Sequence, residues 1–175
     1  VTSTVELNEH QGSAIRGALF HAMRARFCGN KNASDCAACP LVATCPVATL
    51  LSTLKPGSER GRDVPRPYTV QPPLPGNGGH PAEDDYGRLF FHYQHGESFV
   101  FGLTLFAQAL KLFPYVVLTI KTFEDAGLGR RMERSDKRWR RGTVAVREIW
   151  AENPLTGERQ AVLEGHEPMV NVPDV

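Results

Sequence analysis

Val1, Ser3, Val5 and Leu7 alternate with Thr2, Thr4 and Glu6, the period of two expected of a half-buried strand. A helix is predicted next, with Ser13 as its N-cap, because Ile15, Ala18, Leu19, Ala22 and Met23 recur on one face. Steps of about 100° put Gly17, His21, Arg24 and Cys28 on the opposite face, so His21 and Arg24 are neighbours away from the apolar stripe. Pro46 opens a short helix expected to reach about residue 54. Over residues 55–85 the period disappears among prolines and glycines, which predicts loop, with one extended piece at 67–71 and a mobile acidic end at Glu83, Asp84 and Asp85.

Regular patterning returns at 89–94 and 98–106, two strand-like runs that predict a hairpin across His95-Gly96. Residues 107–124 predict a helix, with Pro114 in its first turn and Gly127 as its stop. Residues 143–152 and 159–163 predict strands joined through the turn from Asn153 to Gly157. The order β-α-β-β-α-β gives an α+β, ferredoxin-like (RRM-like) domain over 1–175. A cysteine-rich insertion at 28–54 and a proline- and glycine-rich loop at 55–87 interrupt it.

At 175 residues, 41% of them hydrophobic, the chain suits one core and is short for two. No apolar run approaches the roughly 20 residues of a membrane span and no signal peptide is visible, so a cytoplasmic protein with no membrane partner is expected. The chain starts without methionine in a strand-like run, and reads as a portion of a longer protein.

Net charge is only +1, but it is unevenly placed. Residues 130–141 hold six arginines and one lysine against Glu133 and Asp136, a net of +5. Arg16, Arg24, Arg26 and Lys31 form a second zone without an acid between Gln11 and Ser34. Two basic zones suggest a polyanion site; a solvated loop and a solvated helix face are the plainer alternative. Near the first zone, Gly127 and Gly129 are followed by Arg130 and Arg131, and glycines of this kind let a phosphate approach amide N–H groups while arginines supply charge. A helix C-cap with a turn explains the same glycines structurally. Trp139, between Arg138 and Arg140, could stack on a base or anchor a small apolar cluster.

All four cysteines fall within 18 residues, at Cys28, Cys36, Cys39 and Cys45, a C-x7-C-x2-C-x5-C spacing. Four thiolates close a tetrahedral site, so structural zinc is expected. An iron–sulfur cluster is the alternative ligand, and four unliganded cysteines the alternative to any metal. With every ligand position filled, such a metal is not catalytic.

Gln11-Gly12-Ser13-Ala14-Ile15-Arg16-Gly17-Ala18-Leu19 resembles the opening of the first helix in RAMP-superfamily CRISPR proteins. Cys36-Ala37-Ala38-Cys39-Pro40-Leu41 with Cys45-Pro46 resembles the cysteine insertion in one bacterial branch of the pre-crRNA-processing endoribonucleases. Pro65-Arg66-Pro67-Tyr68, Pro72-Pro73 and the run from Phe99 to Phe106 also fit that branch, and Ala126-Gly127-Leu128-Gly129-Arg130-Arg131 resembles its glycine-rich loop. The resemblance implies binding of CRISPR repeat RNA, with Arg16, Gly127, Gly129, Arg130, Arg131, Lys137, Arg138 and Arg140 as candidate contacts. It implies cleavage without a catalytic metal to a 2′,3′-cyclic phosphate, and a second ferredoxin-like domain that this sequence does not contain. A non-catalytic crRNA-binding subunit working with other CRISPR-associated subunits is the competing expectation, and a zinc-stabilised interaction module a third.

Cleavage through the RNA 2′-OH needs a base, an acid and cationic groups. His21, with Arg24 on the same helix face, is the candidate, and His10 the runner-up. His80, His92, His95 and His166 fall in predicted loops or strands without that geometry.

Overall fold

The computed structural model describes residues 1–53, 64–74, 76–133 and 135–165. The far end of the predicted second helix, much of the proline-rich stretch, Arg134 and His166 lie outside the described residues.

Strand β1 (Val5–Asn8) leads into α1 (Gln11–Phe27), where Ile15, Leu19, Ala22 and Met23 of the predicted stripe are buried and Ala18 is half-buried. His10 rather than Ser13 occupies the N-cap position. Ser13 instead lies inside the first turn, where its amide N–H donates to the His10 carbonyl at 2.8 Å. Gln11 is buried and accepts a 2.7 Å hydrogen bond from the Tyr93 hydroxyl, tying the start of α1 to the sheet beneath it. That pairing satisfies two polar groups that would otherwise be costly to bury.

After the cysteine segment, α2 (Pro46–Leu50) carries its proline in the first turn, and β2 (Tyr68–Gln71) forms where an extended piece is predicted. Then come β3 (His80–Glu83), β4 (Leu89–Tyr93) and β5 (Gly102–Leu105). The predicted hairpin between 89–94 and 98–106 does not form. β4 pairs with β3 on one side and β1 on the other, both antiparallel, while β5 pairs with β2. Pro81 hides β3 from pattern reading, yet an edge strand tolerates proline because one side needs no ladder N–H. The turn between β3 and β4 is ordered by Asp84, whose carboxylate accepts from the Tyr86 and Arg88 amides at 3.1 and 3.0 Å. The acidic end read as mobile is thus a hydrogen-bonded turn.

The helix predicted over 107–124 is broken into a 3-10 segment at Ala107–Leu112, α3 (Phe113–Lys121) and α4 (Phe123–Ala126), with Pro114 in the first turn of α3 and Gly127 ending α4. Beyond Gly127 the basic run is strand where loop is expected. β6 (Leu128–Glu133) and β7 (Trp139–Gly142) pair as an antiparallel hairpin, and Asp136 organises its tip by accepting from the Arg138 amide at 3.1 Å. A further antiparallel pair, β8 (Glu148–Glu152) and β9 (Arg159–Glu164), closes on the predicted turn, although β8 begins later than expected.

The result is a mixed α+β fold with several small antiparallel sheets. The central sheet runs β1-β4-β3, and β6 lies along the free side of β1. Its contact is close: a Cβ on Gly129, at φ +83°, would meet the Glu6 carbonyl oxygen at 2.2 Å. Gly142 presses on the Thr4 carbonyl in the same way. Val5, Leu7, Tyr93 and Leu128 join α1 and α3 residues in one core, whereas Glu6 and His92 face away from it in cross-strand register. Among the described residues no helix is long and apolar enough to cross a membrane.

Candidate functional site

Where β6 and β7 lean on α1, a cleft of about 240 Å³ opens between helix and hairpin. Ser13, Gly17 and His21 line it from α1, Asn8 from the end of β1, and Gly129, Arg130 and Arg141 from the hairpin. Helical spacing explains the first group, since positions 13, 17 and 21 stack on one face. The second group owes its place to the close approach of Gly129 to β1, which brings the hairpin against the helix.

His21 is exposed at the cleft wall, as its place opposite the apolar stripe predicts. Arg24 is not beside it in the cleft. It lines the neighbouring cysteine cavity, so the predicted His21–Arg24 pairing is divided between two sites. Arg141 stands in the cleft instead, and the sequence reading missed it. Its signal is the strand period: in a β-hairpin Arg141 and Trp139 face opposite to Arg140, which cannot be seen while the segment is read as loop. Asn8 and Ser13 were missed for the same reason, because neither is informative until β1, α1 and β6 converge.

The other predicted contacts scatter around this cleft. Arg131, Lys137 and Arg138 are exposed on the hairpin, and Trp139 is 63% exposed between the basic residues. Arg16 is exposed on α1. Two predicted contacts are already engaged within the protein. Arg140 pairs with Asp136 at 2.9 Å, and Arg130 donates through Nε to Glu6 while lying 4.1 Å from the Phe90 ring centre. Gly127 does not offer a bare amide: it is buried, and its N–H donates to the Phe123 carbonyl at 3.1 Å as the helix stop. The capping explanation therefore accounts for Gly127, and Gly129 alone of the two glycines reaches the cleft.

The remaining described histidines lie elsewhere. His10 is exposed beside Glu9, His80 approaches Glu97 at 2.8 Å, and His92 approaches Glu6 at 3.6 Å. His95 sits in the turn after β4.

The second cavity, of about 200 Å³, is lined by Cys28, Cys36, Cys39 and Cys45 together with Arg24 and Asn30. All four thiols are free and half-buried. They stand on its walls rather than at one point, and among the described residues no three His, Cys, Asp or Glu side chains converge closely enough to hold an ion.

Fold and cleft together define a mixed α+β domain with a basic groove between one helix and a β-hairpin. The chain belongs to a protein family whose sequence model, described as an N-terminal domain, matches residues 1–175. No curated protein and no solved structure matches it.

Proposed function

We propose that this domain binds RNA through the cleft between α1 and the β6–β7 hairpin, as a RAMP-superfamily protein of the pre-crRNA-processing type. The observation that carries the reading is the meeting of His21 and Ser13 on α1 with Gly129 and Arg141 on the hairpin. A phosphate in such a cleft would find an arginine fork, a hydroxyl and an imidazole together. Arg131, Lys137, Arg138 and exposed Trp139 extend the groove along the hairpin with charge and one stacking surface, the combination single-stranded RNA uses.

The ferredoxin-like reading has support in strand order. β1-β4-β3 is one hydrogen-bonded sheet, and β6, hydrogen-bonded to β7 in a separate pair, packs beside β1, so the strands lie in the order β6-β1-β4-β3, with α1 following β1 and α3 preceding β6. That is the order a β-α-β-β-α-β sheet requires, with the hairpin strand β6, not residues 143–152, as its last member.

For cleavage, His21 is the candidate base for the 2′-OH and Arg141 the candidate cation for the phosphorane-like charge, with no metal in the step. One observation favours the non-catalytic alternative, a crRNA-gripping subunit: His21 is the only imidazole lining the cleft among the described residues, so no second histidine stands ready as acid. The test uses full-length protein, CRISPR repeat RNA and chelator. A His21→Ala variant is expected to bind RNA but cut it about 10²-fold or more slowly. Unchanged turnover ends the role of His21, wild-type binding without cleavage selects the gripping subunit, and absence of binding contradicts the whole reading.

A further inference from the structure

The cysteine cavity is not used by that reading and stands on its own observations. We propose that Cys28, Cys36, Cys39 and Cys45 close tetrahedrally on one zinc ion, with Arg24 as the cationic neighbour that balances the thiolates.

The fold brings these cysteines to one cavity from four places along an irregular segment. Two of them are fixed by helix ends. Cys28 is the C-cap of α1, its amide donating to the Arg24 carbonyl at 3.2 Å, and Cys45 is the N-cap of α2, its carbonyl accepting from the Thr49 amide at 3.0 Å. The other two form a knuckle: the Cys39 amide donates to the Cys36 carbonyl at 3.3 Å, and the Val42 amide to the Cys39 carbonyl at 3.0 Å. Such turns present sulfurs on one side and leave amides free to support them.

Little else holds the segment. It has no helix or strand between Cys28 and Cys45, and its large apolar side chains, Leu41 and Val42, are 47% and 37% exposed. A polar loop of this length lacks the burial to offset its ordering entropy, and metal ligation supplies what packing does not.

The surroundings match a thiolate centre. A dication held by four thiolates leaves surplus negative charge, which a nearby cation and N–H donors stabilise. Arg24 lines the cavity, and Asp35 lines it too, its carboxylate accepting from the Ala38 amide at 2.7 Å. Asn30 Nδ2 already lies 3.9 Å from Cys39 Sγ as a donor to sulfur. Binding would draw the sulfurs from the cavity walls to a common centre and release the thiol protons to solvent.

The experiment is elemental analysis of the intact chain purified without chelator, followed by replacement with cobalt(II). The expected result is about one zinc per chain, and on cobalt exchange a near-ultraviolet thiolate charge-transfer band with intense tetrahedral visible bands. A Cys36→Ser, Cys39→Ser double variant should lose both. Arg24→Ala should keep the stoichiometry and weaken the metal about 10-fold in chelator competition. Cobalt spectroscopy on the wild-type chain keeps the test decisive if the double variant fails to fold. Absence of zinc with absence of cobalt–thiolate bands overturns the proposal, as does stoichiometric iron or zinc that survives loss of Cys36 and Cys39. Either result leaves RNA binding by the cleft untouched.

Discussion

Arg130 lies across the sheet instead of reaching into solvent: its Nε donates to the Glu6 carboxylate, and its guanidinium covers the Phe90 ring at 4.1 Å. A terminal nitrogen of the same group stands 3.6 Å from Asp84. This one side chain therefore links β6 to β1, to β4 and to the turn that precedes β4. Glu6 is only 13% exposed, so removing its partner strands a poorly hydrated carboxylate. Arg130→Ala is expected to lower stability by about 1–3 kcal/mol in urea unfolding. Its effect on RNA affinity should be smaller than that of Arg141→Ala, whose side chain has no carboxylate partner among the described residues. A stability change near zero with a large loss of affinity would show that Arg130 is a ligand contact after all.

The Asp84 turn makes a pH prediction. A side-chain hydrogen bond from Arg88, helped by the Arg88 and Tyr86 amides, holds its carboxyl at about 2, below the ordinary 3.8. A carboxylate depressed on folding stabilises the fold fully above its unfolded value and ceases to as pH falls through the folded one. The turn between β3 and β4 should thus keep its brace at pH 4 and lose it towards pH 2. Carboxyl NMR titration of Asp84 measures this directly, and Arg88→Ala should move the midpoint up towards 3.8. A midpoint already at the ordinary value in the unsubstituted protein would refute the brace.

Periodicity made much of this architecture legible before the fold was known. The stripe of α1 and the stop at Gly127 arise from local rules, and both are present. Pairing was less legible, because it depends on partners distant in the chain. The run 98–106 reads as the natural mate of β4, but β3, disguised by Pro81, takes that place and leaves β5 to β2. Charge also hid structure: the run after Gly127 has too few apolar residues to advertise strands, yet Gly129 and Gly142 let it pack on β1. That concealment cost the sequence reading Arg141, the cleft residue which only a hairpin puts opposite His21. The same concealment credited Gly127 with a free amide that its cap consumes.

The central claim is that cations on the hairpin and at the cleft that have no carboxylate partner among the described residues hold RNA phosphates. Its most direct measurement is the salt dependence of CRISPR repeat-RNA affinity for the intact chain and for Arg131→Ala, Arg138→Ala and Arg141→Ala. Each phosphate contact to single-stranded RNA contributes about 0.7 to the slope of log affinity against log salt. The account predicts a steep slope for the parent protein, reduced by about that amount in each variant, with Arg140→Ala, already paired to Asp136, changing it less. A slope near zero, or one that all three variants leave unchanged, would contradict it.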